Sequence, residues 1–244
     1  MNNIDQHFMI NKTAIKTLVI NAQLKNNDVV LEIGFGKGNL TELLAKKCFV
    51  IAVDIDTSFN FVNNNVKVIH GNILNLIDGL KFNKIVSNIP YSISEPLLWK
   101  TLGRDEIERM VLTYGINFAK IITNKDNKLG IIANCFYETK IIKILSKRYF
   151  VPEPRTDSAI VVFKKKQKFN ELEKIIVELV KQKDKKIKNA FEKIFIGKLT
   201  KKEVKRKLKN IKNKKIIENN IMRLSNEKFL TLIEFLKQII LKNI

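Results

Sequence analysis

Residues 29–38 read Val-Val-Leu-Glu-Ile-Gly-Phe-Gly-Lys-Gly. An apolar run of strand character ends in glycines at alternate positions, and residues 40–47 continue as a helix. A strand that turns through glycine into a helix opens a βαβ unit. Glycine lets the backbone turn tightly and approach a ligand with no Cβ in the way. The spacing is not the Gly-x-Gly-x-x-Gly of dinucleotide sites.

Working outward, residues 13–23 have helical spacing at Ile15, Leu18, Val19 and Ala22. Further strands are predicted at 49–54, 66–69, 84–87, 109–113, 129–136 and 158–163. Strands alternating with helical stretches predict an α/β fold with a Rossmann-like, mostly parallel, doubly wound sheet of seven strands. Past Phe163 the strand signal stops, and 170–195 and 200–240 carry helical periodicity. The lysine-rich run Lys164–Lys168 marks the junction. Two domains are therefore expected: 1–165, carrying the glycine turn, and 166–244, small, basic and all-helical.

Charge divides the same way. Of the formal net +21, residues 164–244 hold 25 Lys and Arg against 9 Asp and Glu, a net of +16. Residues 1–163 hold 20 against 15, a net of +5. Such asymmetry points to a polyanionic partner, with a lysine-rich composition bias as the competing account. With 45% hydrophobic residues the chain is globular, not disordered. Cys48 and Cys135 lie in apolar runs and read as buried thiols of a reducing compartment. His7 and His70 are isolated, so no metal site is expected. No apolar run approaches the ~18 residues of a membrane span. Asp5, Gln6 and His7 interrupt any secretory signal, so a cytoplasmic location is expected.

The turn Gly34, Gly36 and Gly38 fits the shorter glycine loop of class I methyltransferases, where the cofactor's amino-acid end meets the loop. Asp54 ends the next strand, 20 positions past Gly34. A carboxylate there can accept hydrogen bonds from the ribose hydroxyls of an adenosine cofactor. Asn72, after the third strand, falls where such folds read an adenine ring, although Asn is also a common turn former. At the fourth strand end stands Asn88-Ile89-Pro90-Tyr91. Adenine N6 is a poor nucleophile because its lone pair is delocalised into the ring. The Asn88 side-chain oxygen and the Ile89 carbonyl can each accept one N–H of that amine and turn the lone pair towards a methyl donor. Pro90 fixes the turn and Tyr91 offers a stacking face. The gain is one of orientation and electrostatics. Phe150, held near Pro152 and Pro154, is a candidate to stack on the other face of an extruded base.

Together these residues resemble the rRNA adenine dimethyltransferases, which include the KsgA-type housekeeping and the Erm resistance enzymes. The likeness starts at Gln6-His7-Phe8-Met9-Ile10. It runs through Leu31–Gly38, Asp54 and Asn88–Tyr91 to Phe150–Ala159, covering about the first 165 residues. It implies S-adenosylmethionine as cofactor. His7, Met9, Gly34, Gly36, Gly38, Asp54, Asn72 and Asn88 would lie at the cofactor, and Asn88, Ile89, Pro90, Tyr91 and Phe150 at the target base. The family usually has Glu at the position of Asp54, Asp at that of Asn72, and Gln-Lys-Glu-Phe-Ala where this chain has Gly115–Ala119. Pro154–Ala159, Lys185–Ala190 and Leu224–Phe229 lean to the KsgA type, Tyr114-Gly115 and Ile89 to the Erm type. The expectation is N6-dimethylation of adenines near the 3′ end of small-subunit ribosomal RNA, within a precursor particle, by a monomer. The alternatives are an Erm-type enzyme of the large subunit, a DNA adenine methyltransferase, and a non-catalytic RNA-binding assembly factor.

Overall fold

The computed structural model describes residues 6–195, 200–209, 211 and 213–241. Nine strands are present among them: β1 Phe8–Met9, β2 Val29–Ile33, β3 Phe49–Asp54, β4 Val66–His70, β5 Lys84–Asn88, β6 Arg109–Gly115, β7 Tyr137–Leu145, β8 Phe150–Val151 and β9 Ser158–Lys165. Seven form one sheet in the order β4-β3-β2-β5-β6-β9-β7. β4, β3, β2, β5 and β6 run parallel to their neighbours, and β9 is antiparallel to β6. β1 and β8 form a separate two-stranded ladder pairing Met9 with Phe150.

Helices α1 (Lys12–Ala22), α2 (Thr41–Ala45), α3 (Ile73–Leu76), α4 (Ser94–Thr101) and α5 (Ile116–Thr123) connect these strands. The central strands bury nearly every residue, as parallel strands covered on both faces do. α1 buries Ala14, Ile15, Leu18 and Ala22, the face read from its spacing.

The order of strands reverses between β2 and β5. Those two pair at Val30–Lys84 and Leu31–Ile85. Further along the pair, the Ser87 hydroxyl bridges them, accepting from Ile33 N (3.3 Å) and donating to Ile33 O (2.5 Å). Crevices at the carboxyl ends of parallel strands, where the order switches, are where such sheets hold ligands.

One predicted strand is a helix. Residues 129–136 lie in α6, Lys128–Phe136, and the seventh strand of the large sheet is the following segment, β7. A short apolar run cannot be told from a buried helix by periodicity alone. Asn127 decides it, because its side chain accepts from Gly130 N and caps a helix start.

The chain divides into two compact units, 1–123 with 138–165, and 124–137 with 166–244. The segment 124–137, expected with the sheet, thus belongs to the helical unit. Its anchor is Lys128, a buried lysine whose Nζ donates to the carbonyls of Met222 (2.6 Å) and Leu224 (2.7 Å). The other helices of that unit are α7 (Glu171–Lys181), α8 (Ile187–Ile194), α9 (Lys201–Leu208), α10 (Lys214–Ile217) and α11 (Asn226–Leu241). An Asn170–Glu173 capping box starts α7. Phe191, Phe229, Leu232 and Leu236 centre the core of the helical unit.

Candidate active site at the carboxyl ends of β2, β3 and β5

Gly34 and Gly36 have φ of +71° and +50°, a region that side chains with a Cβ rarely adopt. A Cβ on Gly36 would lie 2.6 Å from the Phe8 ring, and one on Gly34 would lie 3.4 Å from Pro90 Cδ. The Asp54 carboxylate ties the glycine turn to the end of β3. Its Oδ2 accepts from Gly36 N at 2.9 Å and its Oδ1 from Asp56 N at 3.0 Å. Gly34 N donates to Val53 O at 2.7 Å.

Across the switch point, β5 ends at Asn88. Its Nδ2 donates to His7 O at 2.9 Å. Its Oδ1 is buried and finds no donor among the described residues. A buried acceptor without a donor costs about 1–3 kcal/mol, so it stands out as a group kept for a ligand. Tyr91 lies over Gly115, where a Cβ would come within 3.7 Å of its ring, and its hydroxyl hydrogen-bonds Ser158 Oγ. The His7 ring stands 5.8 Å from the Tyr91 ring, and His7 Nδ1 is 2.8 Å from Pro152 O.

These elements surround one cavity. Of the predicted cofactor residues, His7, Met9, Gly34, Gly36, Asp54 and Asn88 line it, and so do Ile89, Pro90 and Tyr91 of the target-base set. Three predicted residues do not. Gly38 shapes the turn, donating to Phe35 O at 2.9 Å. Asn72 is exposed and caps α3 through Leu74 N. Phe150 requires a correction. It is wholly buried in the core beside Met9, so it presents no open face for a base. An aromatic on a two-residue strand is pulled inward by the area it removes from water.

Glu32, to which the sequence pattern gave no role, lines the same cavity and is 1% exposed. Its Oε2 lacks a donor among the described residues. Burial pushes its carboxyl from about 4.5 up to about 8, with Asp54 adding to the rise and Thr41 opposing it. An acid inside the apolar run Val29–Ile33 was the available signal. Gln6, absent from the predicted set, also lines the cavity and donates to Asp56 Oδ2 at 3.1 Å.

Among the described residues, no cluster of three or more His, Cys, Asp or Glu is placed to hold a metal ion. No described helix is long and apolar enough to cross a membrane.

Residues 2–238 match the family described as "Ribosomal RNA adenine dimethylase". The chain belongs to that family. It is thus an rRNA adenine methyltransferase. A protein of Pyrococcus furiosus named as a probable ribosomal RNA small subunit methyltransferase A is 33% identical over 96% of this chain and 91% of its own length. One of Pyrococcus abyssi with the same name is 36% identical over 75% of this chain and 72% of its own. The crystal structure of a dimethyladenosine transferase from Plasmodium falciparum is similar at 25% identity, covering 95% of this chain and 98% of that one, with a TM-score of 0.64. The 23S rRNA methyltransferase ErmE shares the fold, with a TM-score of 0.62 at 21% identity over 94% of this chain and 99% of that one.

Proposed function

We propose that this enzyme transfers methyl groups from S-adenosylmethionine to N6 of adenines in small-subunit ribosomal RNA near its 3′ end, acting as a cytoplasmic monomer on a precursor particle. The observation that carries the reading is the buried Asn88 Oδ1, without a donor among the described residues, beside a glycine turn tied to Asp54. The small-subunit assignment follows the names of the relatives from Pyrococcus.

The cavity suits a sulfonium cofactor. Its lining joins the buried Asp54 carboxylate and the Glu32 carboxyl, whose burial favours the protonated form up to about 8, to a turn whose backbone approaches without Cβ atoms. When bound, S-adenosylmethionine supplies an electrophilic methyl group. Gly34 and Gly36 would border its amino-acid end and Asp54 its ribose. Asn72, an exposed cap beside the end of β4, would reach its adenine only from the rim.

The chain's own part in the chemistry is positional. Asn88 Oδ1 accepts one N–H of the target amine and the Ile89 carbonyl accepts the other. Asn88 Nδ2 is held by His7 O, which aims Oδ1 at the substrate and not at solvent. Tyr91, fixed by Ser158 and Gly115, stacks on the base. Preorganised acceptors of this kind need no reorganisation at the moment of reaction.

The base must come from a loop or a splayed end, because the deep groove of A-form RNA hides base edges. The helical unit supplies affinity through phosphate contacts, since nearly all of the net +16 over 164–244 lies in it. Incubating the full chain with tritiated S-adenosylmethionine and separated ribosomal subunits tests the reading. Label should enter small-subunit RNA as N6-methylated adenine. Label confined to the large subunit would overturn it in favour of an Erm-type role.

A further inference from the structure

A second cleft, of about 460 Å³, is lined in part by Tyr91. Its volume lies in the ~300–1,000 Å³ range usual for small-molecule sites. Tyr91 also lines the cavity at the switch point, so the two spaces are neighbours. Nothing in the methyl-transfer chemistry uses the second space.

Its lining has a distinctive chemistry. Ser92, Asn117 and Thr156 bring neutral groups that donate and accept. Phe118, half-buried with its ring 5.1 Å from that of Tyr114, brings an apolar face. Glu95 is the one charged residue in the lining, and no Lys or Arg is part of it. That arrangement repels phosphate. It suits an uncharged base with one apolar face and hydrogen-bonding edges. A carboxylate has room for about four hydrogen bonds and only accepts. Trp99 Nε1 donates to Glu95 Oε1 at 3.2 Å, which orients the group and leaves further capacity. Glu95 therefore favours a base edge that carries an exocyclic amine.

We infer that this cleft binds the nucleobase adjacent to the target adenine in the same RNA strand, with Glu95 and Asn117 reading its edge. The inference rests on the proposed function and adds a specificity subsite to it. Stacking of bases on aromatic side chains adds to the edge contacts and helps to hold a splayed dinucleotide in place. The Tyr91–Ser158 hydrogen bond fixes the one side chain that borders both spaces.

The test uses the full chain with unmethylated small ribosomal subunits and measures kcat and KM for the wild type, Glu95→Gln and Asn117→Ala. Both positions are exposed, and thermal melting with cofactor calorimetry verifies the fold. The expected result is a rise in KM of fivefold or more in each variant, with kcat within threefold and cofactor affinity unchanged. A competition arm uses single-stranded RNA hexamers with one adenine flanked by C, G or U. Wild-type enzyme should prefer amine-bearing neighbours over uracil on one side by threefold or more, and Glu95→Gln should erase the preference. If the wild type is active and both variants keep its KM, the inference falls and the proposed function stands. A loss confined to kcat would also overturn it, since the residues would then act on the chemistry. If the wild type methylates neither subunit, the proposed function falls and takes the inference with it.

Discussion

The cavity at the switch point and the lysine-rich helical unit use charge in opposite ways. In the cavity Asp54 and Glu32 are buried, and Asn88 Oδ1 has no donor among the described residues. Asp54 is satisfied by the Gly36 and Asp56 N–H groups, whereas Glu32 Oε2 and Asn88 Oδ1 find no donor among the described residues and carry the cost of burial. In the helical unit most charges, the buried Lys128 aside, lie at the surface and are partly answered from within. Lys186 and Lys188 both reach Glu218, at 3.1 Å and 2.7 Å. Exposed pairs of this kind contribute little to stability. On the proposed function, chemistry depends on a few atoms held in one geometry, whereas affinity for a polyanion is spread over many interchangeable ones. Single substitutions should be severe in the first region and mild in the second.

The sharpest way to break that contrast is Asn88→Ala. It should lower single-turnover methyl transfer by about 10² to 10³ while cofactor binding persists, as for loss of one preorganised partner at a reacting centre. Near-normal turnover would show that the amine is held elsewhere.

Glu32 gives the next effect. Its folded-state carboxyl titrates near 8 against about 4.5 when unfolded, so between those values the unfolded chain ionises and the folded one does not. Its stabilising contribution is complete below about 4.5 and is lost as pH rises to about 8. The slope is at most ~1.4 kcal/mol per pH unit. Thermal melts of Glu32→Gln across that window should be flatter than those of the wild type, and parallel curves would remove Glu32 from the account.

Asp54→Asn keeps an acceptor for the Gly36 N–H and discards the charge. Calorimetry with S-adenosylmethionine should show a loss of about 1–3 kcal/mol. Unchanged affinity would unseat the ribose assignment.

The mildest effect belongs to the helical unit. Changing Lys185, Lys186 and Lys188 together to Glu should weaken binding to ribosomal RNA and flatten its salt dependence, by about one unit of slope for each phosphate no longer engaged. Because Glu218 already holds two of the three, Glu218→Gln should steepen the slope instead. Lys193, beside Lys185, holds that ammonium below its ordinary range, a cluster of like charge that a phosphate would relieve. RNA binding indifferent to both changes would reduce the basic face to composition.

Several features were legible because they are local. The glycine turn, the helical face of α1 and the strand-end positions of Asp54 and Asn88 follow from spacing and from backbone conformations that few residues adopt. The error at 129–136 arose where a short apolar run fits two periods, and the deciding cap at Asn127 lies just outside it. Phe150 illustrates a different limit. A motif places an aromatic near a site, but whether its ring faces the ligand or the core depends on what pairs with it, here Met9 on β1.

The sequence by itself determined the α/β class, the family and nine of the residues around the cavity. The class rests on short-range periodicity, and the family and the site residues on a resemblance carried by ordered motifs. Tertiary structure alone decided that Gly34 and Pro90 approach one another across the switch point, since β2 and β5 are distant in sequence and become neighbours only when the sheet order reverses. It also decided that Asn88 Oδ1 meets no donor among the described residues, that Glu32 joins the cavity and that segment 124–137 belongs to the helical unit. Burial and hydrogen-bond satisfaction are properties of the packed chain, set by neighbours that no local window contains.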